Sequence, residues 1–77
     1  MPTAYVLMKC EDGTENRIMR SLAGSANITE MLPTIGHYDL IAKVSSSTID
    51  EMDDIIRKIH RDEKVRAAKV LTMNDWG

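Results

Sequence analysis

Residues 38–61 read YDLIAKVSSSTIDEMDDIIRKIHR, and the hydrophobic period changes halfway along the stretch. Over the first seven residues Tyr38, Leu40, Ala42 and Val44 alternate with Asp39, Ile41 and Lys43, the two-residue period of a half-buried strand. Beyond the polar linker Ser45–Thr48, the residues Ile49, Met52, Ile55, Ile56 and Ile59 fall on one helical face. Thr48 followed by Glu51 fits a capping box at the start of that helix. Its acids Asp50, Glu51, Asp53 and Asp54 lie early and Arg57, Lys58 and Arg61 late, which complements the helix dipole and allows Asp53–Arg57 and Asp54–Lys58 pairs.

The same units recur on either side of this strand and helix. Thr3–Cys10, TAYVLMKC, is an apolar run closed by Glu11-Asp12-Gly13, which reads as a strand apolar on both faces. Asp12 with Glu15 suggests a cap for a short helix carrying Ile18, Met19, Leu22 and Ala23, with Gly24 as its stop. Ala26–Leu32 is a weaker strand, and Pro33 beside it suits a sheet edge that donates no further ladder hydrogen bond. Val65–Met73 is a last strand, followed by Asn74-Asp75-Trp76-Gly77. The order βαββαβ predicts an α+β fold of ferredoxin-like connectivity, an antiparallel sheet with the first and third strands central and both helices on one face. The other face then needs a cover that the chain does not supply, and a second copy, forming a dimeric α+β barrel, is the economical one.

Composition narrows the function. A chain of 77 residues is read as one domain, residues 1–77, with a core small enough that a partner subunit is a natural supplement. A net charge of −2, with basic residues scattered among acidic ones, argues against direct nucleic-acid binding. The single cysteine, Cys10, allows no intrachain disulfide and reads as plain core. The start Met1-Pro2-Thr3 has no basic segment or apolar leader, and nowhere is there a run of about 18 apolar residues, so no membrane association and a cytoplasmic location are expected. No Gly-x-Gly-x-x-Gly, P-loop or triad is present, and His37 and His60 lack ligands at metal spacing; no catalytic residue, cofactor or metal is assigned. The six methionines read as gap-filling core or interface residues, and Trp76 as exposed or tucked into a neighbouring subunit.

Met31-Leu32-Pro33-Thr34-Ile35-Gly36-His37-Tyr38-Asp39-Leu40-Ile41-Ala42-Lys43-Val44 resembles the centre of the effector-sensing domain of the Lrp/AsnC family of feast/famine regulators, where Gly-x-Tyr-Asp precedes an apolar strand. Ala4-Tyr5-Val6-Leu7 and the last strand through Thr72 extend the likeness over nearly the whole chain. The resemblance implies a RAM domain standing alone, without the helix-turn-helix that reads DNA in most members. It also implies homodimers assembling into higher rings, an amino-acid effector held in clefts between subunits, and transcription regulation through partners such as full-length relatives.

The implied ligand contacts are Ile35, Gly36, His37, Tyr38 and Asp39 in the loop between strands two and three, with Thr72 a weaker candidate on the last strand. Chemistry supports the loop: Gly36 lets backbone amides approach a carboxylate, and Asp39 can pair with an α-ammonium group. Equally, Gly36 can serve only as a positive-φ turn residue, and Asp39 can accept backbone amides within the loop. Two other function classes stay open, a structural oligomerisation module without ligand and a small dimeric α+β-barrel enzyme using His37 with Asp39.

Overall fold

The computed structural model describes residues 2–73; the tail from Asn74 to Gly77, with Trp76, lies outside the described residues. The element order is β1 (Thr3–Cys10), α1 (Glu15–Ala23), β2 (Ile28–Pro33), β3 (Leu40–Ser45), α2 (Ile49–Arg61) and β4 (Val65–Met73). The four strands form one antiparallel sheet in the order β2-β3-β1-β4, so β1 and β3 are central and β2 is an edge, the ferredoxin-like arrangement expected from the pattern.

Strand alternation divides the sheet into two faces. Ala4, Val6, Met8 and Cys10 on β1 and Leu40, Ala42 and Val44 on β3 are buried, and they form the core with Ile18 of α1 and Met52, Ile55 and Ile59 of α2. Both helices therefore cover one face. Ile56 is half-buried, but Ile49, at the first position of α2, is exposed and does not join the core. On the opposite face Thr3, Tyr5 and Leu7 of β1 and Ile41 and Lys43 of β3 remain half-exposed. Most of what covers β1 lies on one side only.

The local signals differ in how they are used. Thr48 Oγ1 accepts from Glu51 N at 3.1 Å, which is half of a capping box. The Glu51 carboxylate does not reach back; its Oε1 accepts from Asn27 Nδ2 at 2.6 Å, and the same Nδ2 donates to the Ser45 carbonyl at 3.0 Å. Asn27 thereby ties the start of β2 to the β3–α2 junction. Asp12 does not cap α1: it lies in a turn made by Gly13 at φ 79°, and Thr14 is the cap residue, with its hydroxyl donated to the Glu11 carbonyl at 2.6 Å. Gly24 ends α1 in a right-handed conformation and not the left-handed one its type permits. Among the described residues Lys64–Glu11 at 3.7 Å is the salt bridge formed, and the expected Asp53–Arg57 and Asp54–Lys58 pairs are not closed. Exposed helix pairs gain too little to hold long side chains in one geometry.

β2 begins two residues later than the pattern suggested and runs through Pro33. Its register shifts at Thr29, with Ile28 opposite Val44 but Glu30 opposite Lys43. This bulge inverts the alternation, leaving Ile28 and Met31 packed against the core while Glu30 and Leu32 turn to the open face.

Candidate functional site

The loop between β2 and β3, residues 34–39, is fixed at its base and free at its tip. Pro33 pairs with Leu40, and just beyond this pair Thr34 N donates to the Asp39 carbonyl at 2.8 Å. The Thr34 hydroxyl donates to the Tyr38 carbonyl at 2.8 Å. Asp39 then attaches the loop to β1 twice: its N–H donates to the Met8 carbonyl at 2.8 Å, and its Oδ2 accepts from Cys10 N at 2.8 Å. The β1–β3 ladder ends at Met8 and Leu40, so the carboxylate supplies the acceptor that the departing backbone no longer provides. One reading of Asp39, acceptance of a backbone amide, is thus realised in the chain.

Gly36 sits at φ 118°, a conformation that a side-chain-bearing residue rarely adopts, and a Cβ there would meet no atom within 4 Å. The requirement for glycine is conformational and not steric. Ile35 is 104% exposed and His37 is exposed, whereas Tyr38 and Asp39 are half-buried. An apolar side chain, an imidazole and the open backbone of Gly36 therefore project together from a braced loop.

Thr72 is not beside this loop. It pairs with Ala4, at the end of the sheet where β3 finishes, while the loop leaves from the Met8–Leu40 end. Four residues along β1 separate the two by about 13 Å. Within one chain Thr72 and the 35–39 loop therefore do not share a site.

Cys10 adjoins the loop from inside. It is 5% exposed, and burial, with smaller contributions from the carboxylates of Asp39, Glu15 and Asp62, pushes its thiol up to about 11. Such a thiol carries almost no thiolate at neutral pH and is a core group, not a nucleophile. Sequence reading missed the Cys10 amide as the partner of Asp39 and Thr34 as the brace on Tyr38. A Thr and an Asp flanking the ends of a loop are a general turn signal, but neither names its partner.

Two clefts among the described residues lie elsewhere. One of about 690 Å³ runs between α1 and β2, lined by Asn16, Met19, Arg20, Ala23 and Met31. Another of about 560 Å³ lies where the two helices end, with Lys58, Arg61 and Asp62 in its wall. Neither includes a residue of the 35–39 loop. Among the described residues no group of three or more His, Cys, Asp or Glu side chains comes together to hold a metal ion, and no helix is long and apolar enough to cross a membrane.

No family model and no curated protein matches the chain. Solved structures do. The crystal structure of FFRP-DM1 is 29% identical, covers 96% of this chain and 100% of its own, and superposes with a TM-score of 0.93. A hypothetical protein from Pyrococcus horikoshii is 29% identical, covers 96% of this chain and 90% of its own, with a TM-score of 0.91. AsnC from E. coli has the same fold at 20% identity and a TM-score of 0.86, and the match takes in 96% of this chain but 51% of the AsnC chain. With the Gly36-His37-Tyr38-Asp39 motif at the braced loop, the chain is thus similar to FFRP-DM1 over that protein's whole length and shares the fold of about half of the AsnC chain.

Proposed function

We propose that this chain acts as one RAM-type sensing domain in the cytoplasm, associating through its open sheet face and holding a small ligand, an amino acid, at clefts between subunits. The observation that carries the proposal is the construction of the 35–39 loop. Asp39 and Thr34 brace its base while Ile35, Gly36 and His37 are presented to solvent. Gly36 offers backbone amides to a carboxylate, and the second oxygen of Asp39 is the group for an ammonium. The distance from the loop to Thr72 supports a cleft assembled from more than one subunit. Ligand binding would favour one assembly over another in proportion to its differential affinity, and a mixed assembly with a full-length regulator would carry the signal to DNA.

The use of Asp39 Oδ2 by Cys10 N favours one competing reading, an assembly module in which the loop is purely structural. The enzyme reading gains no such support: His37 is exposed and Asp39 is engaged with β1, so the two do not form an enclosed acid–base pair. Thermal unfolding with each of the twenty amino acids, with light scattering recorded alongside, separates sensor from module. A ligand at about 100 times its dissociation constant adds about 2.7 kcal/mol to the assembled state. Asp39→Asn keeps an acceptor for Cys10 N but removes the charge. A selective shift that disappears in this variant supports the sensor, and the absence of any shift favours the module.

A further inference from the structure

The open sheet face has a charge in its interior. Across the four strands, register aligns Glu30, Lys43, Tyr5 and Leu71 in one row and Leu32, Ile41, Leu7 and Lys69 in the next. Five of these eight positions are apolar or aromatic, and Leu32 and Leu71 are 59% and 46% exposed. Lys69 lies on edge strand β4, and Lys9 lies at the end of β1 beside Ala67; both have a short path to solvent once the face is covered. Lys43 is different. It stands on central strand β3, half-buried, between Tyr5 on one side and Glu30 on the other.

Glu30 is opposite Lys43 only because of the Thr29 bulge. With unbroken alternation from the Ile28–Val44 pair, Glu30 would oppose Ala42 and face the helices. The bulge thus delivers a carboxylate to the one interior cation of an apolar face. In the single chain the two are not within ion-pair distance, as expected of a pair still open to water.

We propose that Glu30 and Lys43 form the charge pair that makes this face self-complementary, so that its partner is a second copy of the chain and not a face bearing an excess of either charge. This rests on the reading of the open face as a subunit interface. Strands spaced about 4.8 Å apart and rising about 3.3 Å per residue give a face of roughly 19 by 25 Å. With side-chain relief, its accessible area approaches the ~800 Å² per partner of a standard interface. Covering the face removes water from Lys43, and a cation so enclosed requires a carboxylate next to it. Glu30 meets that requirement in each copy, whereas a second unpaired lysine or glutamate would set like charges against each other across the interface.

The test is a charge exchange read by sedimentation equilibrium, with far-UV circular dichroism confirming the fold. Lys43→Glu and Glu30→Lys are each expected to weaken self-association by more than about tenfold, and the double exchange to restore it within about threefold. An equimolar mixture of the two single variants is expected to form a mixed dimer tighter than either homodimer. Single exchanges without effect, or a double exchange that does not restore association, would overturn the pair. Glu30→Lys, on the exposed edge, carries the test alone should Lys43→Glu fail to fold, with the mixture replaced by wild type. Ile41→Asp separates the two levels. If it leaves association intact, the sheet-face interface itself is wrong; if it dissociates the protein while the charge exchanges do nothing, only the pair is wrong.

Discussion

Asp39 and Cys10 show how much one side chain can fix. The carboxylate replaces a lost ladder partner on Cys10 N, and the thiol of the same residue is buried in the core. A thiol whose ordinary value is 9.0 and which is held at about 11 makes stability depend on alkaline pH. Below the lower value both folded and unfolded chains keep the proton, and the stabilisation is complete. Between the two the unfolded chain releases its proton and the folded chain does not, so stability falls as pH rises, at up to ~1.4 kcal/mol per pH unit. Urea midpoints of wild type and Cys10→Ala, compared at pH 8 and pH 11, isolate this dependence from lysine and tyrosine titration common to both. The wild type is expected to lose more on going to pH 11, and parallel losses in the two proteins would remove the thiol as the cause.

At the scale of elements, the two helices are secured differently. α2 has a cap in which Thr48 accepts from Glu51 N, a sequence of opposite charges along its length, and three residues deep in the core. α1 has Ile18 as its buried residue and a cap without a side-chain hydrogen bond to the helix. Replacing Thr48 by Ala is therefore expected to lower stability by ~1 kcal/mol. Thr14→Ala loses only a turn bond to the Glu11 carbonyl and should have a smaller effect on helix content. Chemical denaturation of the two variants followed at 222 nm checks the order. β2 is the element whose pattern was least legible, and the reason is the Thr29 bulge: an inserted residue breaks the two-residue period by which a strand is recognised. The adjacent strand β3 has no such interruption, and its alternation was plain.

For the whole molecule, the decisive asymmetry is between the two faces of the sheet. One is closed by α1 and α2, and the other leaves Tyr5, Leu7, Leu32, Ile41 and Leu71 to solvent in the single chain. Self-association through that face, as proposed above, would couple folding to concentration. The midpoint of thermal unfolding is expected to rise by several degrees over a hundredfold increase in protein concentration, and a midpoint independent of concentration would show that the folded chain does not draw on a partner. The candidate site is dispersed in the same way, since the braced loop and Thr72 lie at opposite ends of the sheet and the two clefts described above open beside the helices.

The order of elements, the central position of β1 and β3, the edge position of β2 and the Met52, Ile55 and Ile59 core face of α2 were legible in the sequence, because hydrophobic period and chain connectivity are local properties that survive folding. The sequence also carried the Gly36-His37-Tyr38-Asp39 motif on which the resemblance to the Lrp/AsnC sensing domain rests. Tertiary structure alone decided that Asp39 would be bound to Cys10 N, that Glu51 would leave its own helix cap for Asn27, and that Glu30 would stand across from Lys43. Each of these pairs joins residues far apart in the chain, and each depends on register, which a single strand does not encode without its neighbour.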